Sequence, residues 1–259
     1  VDDGLKPTVA ALQAGDIDAA ARWYLQAASS ARDDAGLAER ATRIALLAND
    51  NRLAADALAL WKARAPRTLA MRGAEATLAL RQDNTREARR ELEALLRDPD
   101  PDGWRYALGA LDGGKDDKRA AQVLDLLLDD DAIPRELQAW LAFGGFAQRT
   151  GSQALAERIV DEVLRRFPGE PRVALLRAAQ LRDAGKLDEA RKVLEGVRAE
   201  AAEDPRLRLS LAAEYDALGD PAAAAGVMAE GTQDQDSYEL RAALLDKADD
   251  KPALSALYD

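Results

Sequence analysis

Residues 137–170 read LQAWLAFGGFAQRTGSQALAERIVDEVLRRFPGE. A short turn, Thr150-Gly151-Ser152, divides the stretch, and Pro168 closes it. Similar turns recur at Ala184-Gly185-Lys186 and Leu218-Gly219-Asp220, and the spacings 185 − 151 and 219 − 185 are both 34. The same interval carried backwards from Gly151 reaches Asp117, Asp83, Asn49 and Gly15. All seven residues are Gly, Asn or Asp, which tolerate the left-handed backbone needed just past a helix end.

Further columns keep this period. Five residues after each turn stand Ala20, Ala54, Ala88, Gln122, Ala156, Ala190 and Ala224. Six of the seven are alanine, where the overall content of 57 in 259 residues would place one or two. Four residues further on are Tyr24, Leu58, Leu92, Leu126, Val160, Leu194 and Met228, all large and apolar. Seven before each turn are Thr8, Thr42, Ala76, Ala110, Gly144, Ala178 and Ala212, all small. These columns predict two antiparallel helices per unit. Small residues on the first and alanine on the second let the axes approach, and the large residue fills the space between units. Pro66, Pro134 and Pro168 fall near the end of the second helix, which proline cannot continue. Pro171 and Pro205 fall at the start of the next first helix, where proline is tolerated. Abundant alanine and the near absence of Val-Thr-Ile-Tyr alternation predict an all-α chain.

The pattern resembles the tetratricopeptide repeat family. Trp140 and Tyr106 match its aromatic position on the first helix, Gly144 its small residue, Ala156 its central alanine and Pro168 its closing proline. The resemblance implies a right-handed α-α superhelix of antiparallel helix pairs. It divides residues 1–238 into seven units: 1–34, 35–68, 69–102, 103–136, 137–170, 171–204 and 205–238. Residues 239–259 then read as a further helix, a turn at Asp249-Asp250 and a truncated partial repeat. Departures are Ala38 and Ala174 at the aromatic position and Gln122 in the alanine column. In the fourth unit, Gly109, Gly113 and Gly114 each lower helix propensity by about 1 kcal/mol relative to alanine. With Asp98-Pro99-Asp100-Pro101-Asp102 before it, this unit is expected to be a looser joint, ordinary drift in a degenerate repeat being the alternative.

In this family, first helices line a concave surface, and the resemblance implies which offsets face it. Here those offsets carry Trp104, Gln138, Arg172 and Arg206, then Gln148 and Arg182, then Arg81, Lys115 and Arg149. Arginine's planar fork suits carboxylates, so this set is the candidate groove for a peptide or partner protein. The alternative is that these cations pair with neighbouring Asp or Glu and only solvate the helices. The Lys/Asn carboxylate clamp of chaperone-binding relatives is not found, because Val9, Arg43, Thr77, Leu111, Gly145, Ala179 and Ala213 occupy the offset that would carry part of it. Trp23 and Trp61, on second helices, are expected to fill the core or the space between units. Among the tryptophans Trp104 is the best candidate for an exposed anchor, although core burial is its expected fate.

Composition narrows the chemistry. The net charge is −11, from 36 basic and 47 acidic residues, which disfavours a nucleic-acid partner. Without Cys or His, no zinc site of the usual type and no Ser-His or Cys-His pair can form. Asp129-Asp130-Asp131 lacks the spacing and distal Glu of a calcium loop and reads as a solvated turn. Gly113-Gly114-Lys115 lacks the upstream glycine and following Ser/Thr of a phosphate loop. Carboxylate pairs abound, and none is specific for glycosidase-like work. We therefore expect no catalysis, no cofactor and no metal. The longest apolar run, residues 139–147, is too short to span a bilayer. The chain begins at Val1 without Met and ends inside a helical pattern, Ala253–Asp259, so a removed leader and a longer protein are expected.

One region is more particular. Ala21-Arg22-Trp23-Tyr24-Leu25-Gln26-Ala27-Ala28 and Gly36-Leu37-Ala38-Glu39-Arg40-Ala41-Thr42-Arg43-Ile44-Ala45 resemble the start of tetratricopeptide lipoproteins of Gram-negative bacteria. In some of these, a solenoid tethered to the outer membrane binds and activates a periplasmic carboxyl-terminal processing protease. The resemblance extends from the start of the chain to about Ala70, and the lipidated cysteine is missing. It implies a periplasmic adaptor, with an outer-membrane anchor outside this sequence in the full-length protein. A scaffold for surface-polysaccharide export or secretion machinery is the alternative. A helical toroid that processes glycans would need more aromatics than this chain has.

Overall fold

The computed structural model describes residues 2–258, with side chains from Lys6 onward. Every regular element among them is an α-helix. The chain is an all-α solenoid of antiparallel pairs. They are α1 (Asp2–Gln13) with α2 (Ile17–Ser30), α3 (Ala35–Leu47) with α4 (Asn51–Arg64), and α5 (Leu69–Arg81) with α6 (Thr85–Leu96). Next come α7 (Gly103–Gly113) with α8 (Asp117–Asp129), and α9 (Leu137–Arg149) with α10 (Gln153–Arg166). In the pair that begins with α11 (Pro171–Asp183), the return helix breaks into α12 (Leu187–Gly196) and α13 (Arg198–Glu203). The last pairs are α14 (Pro205–Ala217) with α15 (Pro221–Met228), and α16 (Gln235–Lys247) with α17 (Lys251–Tyr258).

The hairpin turns follow from two adjacent residues. Gly15, Asn49, Asp83, Gly151, Gly185 and Gly219 all have positive φ, as the period predicts, and Asp249 joins them. The residue after each one ends one helix and starts the next. The Asp50 N–H donates to Ala45 O at 3.0 Å, closing α3, while Asp50 Oδ1 accepts from Leu53 N–H at 2.9 Å, opening α4. Asp16, Asn84, Asp220 and Asp250 repeat the arrangement. Such a side-chain cap contributes about 1 kcal/mol. The first bond satisfies a carbonyl at a helix end and the second an N–H at a helix start, groups that would otherwise lack partners.

The fourth turn departs from the period. Its left-handed residue is Lys115 (φ 65°), whereas Asp117 is the first residue of α8. Lys115 falls two positions early, measured from either Asp83 or Gly151. The positions lost at this turn are returned in the loop after α8, where Asp131 has φ 50° and Ala132 and Ile133 are buried. The acidic run therefore terminates α8 and forms this compensating loop. The shift also corrects the alanine column: five residues past Lys115 is Ala120, 1% exposed, while Gln122 is on the surface. Ala20, Ala54, Ala88, Ala120, Ala156, Ala190 and Ala224 are all buried, so each of these pairs buries an alanine at this position of its return helix.

The glycines of α7 do not loosen this joint; two of them permit close packing. A Cβ on Gly113 would stand 2.9 Å from Thr77 Cγ2, and one on Gly114 would stand 3.0 Å from Leu80 Cβ. Only hydrogen at these positions lets the end of α7 lie against α5. Gly109 has open space around it, and nothing in the structure explains it.

The helices form two compact units, Val1–Ile159 and Val160–Asp259. In the first, α5 is wrapped by α3, α4, α6 and α7, and Gly73 through Leu80 are all buried. In the second, Leu181, Leu194, Leu211, Tyr215 and Met228 form the core, with Leu254 and Leu257 of α17 packed against it. The corrected register yields a direct comparison. Ala120→Leu is expected to lower unfolding stability by about 1–3 kcal/mol through overpacking, and Gln122→Leu to change it by no more than about 0.5 kcal/mol. Urea denaturation of the two variants measures both.

Candidate protein-binding surface

Helix ends leave carbonyls without partners, and this chain satisfies many of them with arginine. Arg81, at the end of α5, donates from Nε to Gly113 O at 2.7 Å and from Nη1 to Leu46 O at 2.8 Å, joining the ends of α7 and α3. Arg119 reaches Leu80 O at 3.0 Å and Arg64 reaches Ala28 O at 2.7 Å. Arg208, only 3% exposed, serves Ala202 O and Thr232 O. The carbonyl end of a helix carries partial negative charge, so a cation there is favourable as well as hydrogen-bonded. Burial lowers the Arg81 pKa from its ordinary value, although the group remains charged.

The expected groove residues divide accordingly. Arg81, Trp104, Lys115, Gln138, Gln148 and Arg149 lie in the first unit; Arg172, Arg182 and Arg206 lie in the second. Arg81 is a tie between helix ends. Arg149 pairs with Asp112 at 3.0 Å and lies over the Phe146 ring. Arg182 pairs with Glu214 at 2.6 Å across α11 and α14. Trp104 is not an exposed anchor: it is 8% exposed, its Nε1 donates to Glu136 at 3.1 Å, and the Arg105 guanidinium covers its ring. Lys115, Gln138 and Gln148 are exposed. Arg172 and Arg206 are exposed and make no ion pair with any described residue.

These two arginines occupy matching positions, one period apart, in the first turns of α11 and α14. One helical turn on from Arg206, Leu209 is 52% exposed, and one turn on from Arg172 is the half-buried Leu175. Leu209 stands three residues past Arg206 on the same helix, a spacing already legible in the sequence. Trp23 is also a surface residue, 41% exposed, contrary to the expectation of core filling, whereas Trp61 is 3% exposed.

The most buried carboxylates form a separate cluster. Glu75 on α5 and Glu91 on α6 are 6% and 1% exposed, and Arg67 bridges them at 2.7 Å to each. Lys62 meets Glu75 at 2.5 Å and Arg90 meets Glu91 at 3.1 Å. Burial alone would raise the Glu75 pKa; hydrogen bonds from Lys62 and Arg67, with their charges, outweigh it and hold the carboxyl below its ordinary value. A carboxylate held ionised in this way anchors helices and is poorly suited to donate a proton. No cluster of three or more potential metal ligands occurs among the described residues, and no helix there is long and apolar enough to cross a membrane.

A tetratricopeptide repeat family model matches residues 43–249. The chain is a tetratricopeptide-repeat protein. No curated protein matches it. Among solved structures, it is similar to a tetratricopeptide repeat protein from Parabacteroides merdae ATCC 43184, at 16% identity over 94% of this chain and 98% of that one, with a TM-score of 0.39. It is also similar to the TPR domain of P58(IPK), at 14% identity over 99% and 97% of the two chains, with a TM-score of 0.32. As in the family at large, repeated helix pairs present surface for protein partners.

The Glu75 cluster carries a pH prediction. A carboxyl whose pKa is depressed on folding stabilises the fold above its unfolded value, and this contribution fades as pH falls through the folded value. At pH 7, Glu75→Gln is expected to cost about 1–3 kcal/mol. The gap between variant and parent narrows as pH falls below about 4.3. Thermal melts from pH 7 to pH 3 measure it.

Proposed function

We propose that this tetratricopeptide-repeat protein is a non-catalytic scaffold that binds a partner protein over the amino-terminal turns of α11 and α14. The supporting observation is the matched pair Arg172 and Arg206, exposed and without acidic partners among the described residues in a chain of net charge −11, beside the exposed Leu209. Two unpaired guanidinium groups one repeat apart suit acidic side chains along a partner. A neighbouring apolar side chain supplies the desolvated contact from which binding energy mainly comes.

We further propose that the partner is a periplasmic carboxyl-terminal processing protease, and that the protein works as its adaptor at the outer membrane. This rests on the resemblance of residues 21–28 and 36–45 to the start of Gram-negative lipoprotein adaptors. On this reading, Arg40 and Arg43, exposed on α3 beside the 69% exposed Leu47, are a second contact.

Affinity capture from periplasmic extract tests the partner: a processing protease is the expected catch, and export or secretion components in its place would overturn the adaptor reading. Charge reversal tests the surface. Arg172→Glu with Arg206→Glu is expected to weaken partner binding at least about tenfold, or about 1.4 kcal/mol. An unchanged dissociation constant, with the melting temperature also unchanged, would remove α11 and α14 from the interface.

A further inference from the structure

In the first unit, the turns after α3 and α7 border a cavity of about 340 Å3 lined by Asn49, Asn51, Arg81, Lys115, Asp116 and Arg119. Its charges do not cancel. Arg119 is engaged by Asp83 at 2.7 Å and by Asp116 at 3.4 Å. Arg81 donates its Nε and Nη1 to backbone carbonyls, and no described carboxylate pairs with it. Lys115 is exposed and makes no ion pair among the described residues. Three cations set against Asp83 and Asp116 leave one positive charge in excess. Asn51 Oδ1 is buried without a hydrogen-bond partner. The donor that Asn51 can offer to the cavity it lines is its amide nitrogen.

We propose that this cavity is a carboxylate-binding site, with the ligand held by Arg81 Nη2, the Lys115 ammonium and the Asn51 side-chain amide. The charge excess of one matches a carboxylate. A phosphate, with up to two negative charges, would overcompensate it and meet repulsion from the Asp116 carboxylate. The site is independent of the α11 and α14 surface, so either can fail without the other. Arg81 is the half-buried cation whose charge the carbonyls alone leave uncancelled, and Lys115 is the adjustable one. As a left-handed residue, Lys115 is held where glycine would sit without strain, which separates the test of binding from the test of folding.

Sodium acetate is titrated into the 15N-labelled protein, following the Asn49 and Asn51 side-chain amides and Arg81 Nε–H, with sodium chloride at equal ionic strength as the control. Saturable shifts with acetate and none with chloride are expected. Lys115→Gly should weaken acetate binding at least about fivefold while leaving the melting temperature unchanged or higher. Shifts that do not saturate, equal affinity in Lys115→Gly, or tighter binding of inorganic phosphate than of acetate would overturn the proposal. A capped glutamate peptide distinguishes the source of the carboxylate. Binding at least about tenfold tighter than acetate supports a side chain of a partner protein, and equal binding supports a free organic acid.

Discussion

Asp16, Asp50, Asn84, Asp220 and Asp250 each belong to two helices at once, and the solenoid depends on that double use. The backbone N–H of each caps the carbonyl end of one helix, and its side chain caps the amino end of the next. The preceding left-handed residue turns the chain back on itself in the space of a single residue. With so little chain in the turn, the two helices must run antiparallel and in contact. Their facing positions must then be small, and buried alanine fills that place on the return helices. A single helix pair buries only part of its apolar surface, so stability comes from stacking.

The same shortage of partners at helix ends explains the fate of the arginines. Arg64, Arg81, Arg119 and Arg208 point at carbonyls of neighbouring elements and hold stacked pairs in register. A guanidinium has five donors in a fixed plane and can serve two carbonyls at once, which lysine's single ammonium does less well. An arginine therefore cannot be assigned to a ligand groove from its offset alone. Arg81 and Arg206 occupy groove-type offsets, yet one closes three helix ends together while the other faces solvent. What separates them is whether a carbonyl lies within reach, a property of the neighbouring repeats.

The fourth pair illustrates how a period is kept in space though broken in sequence. The turn at Lys115 comes two positions early, and the loop around Asp131 restores the count before α9. A fixed interval of 34 therefore selects Asp117 and Gln122, whereas Asp116 caps α8 and Ala120 packs. The turn at Lys115-Asp116 lies just ahead of the periodic column. It was hidden because Lys is an uncommon choice for positive φ and because Asp117 also satisfied the column. The glycines mislead similarly. Propensity reads Gly113 and Gly114 as weakness, but against Thr77 and Leu80 they are clearance.

The amino-acid order alone determined the helical class, the turns at Gly15, Asn49, Asp83, Gly151, Gly185 and Gly219, and the alanine and large-residue columns of most pairs. Each is a local matter of backbone conformation and helical periodicity, settled within a few residues of the chain. Only the tertiary structure decided that Trp104 is buried and Trp23 exposed, that Glu75 and Glu91 share Arg67, and that Arg172 and Arg206 pair with no described carboxylate. Burial, charge pairing and exposure are set by which distant residues come within a few ångströms. That depends on how each helix pair stacks on the next, which no single repeat contains.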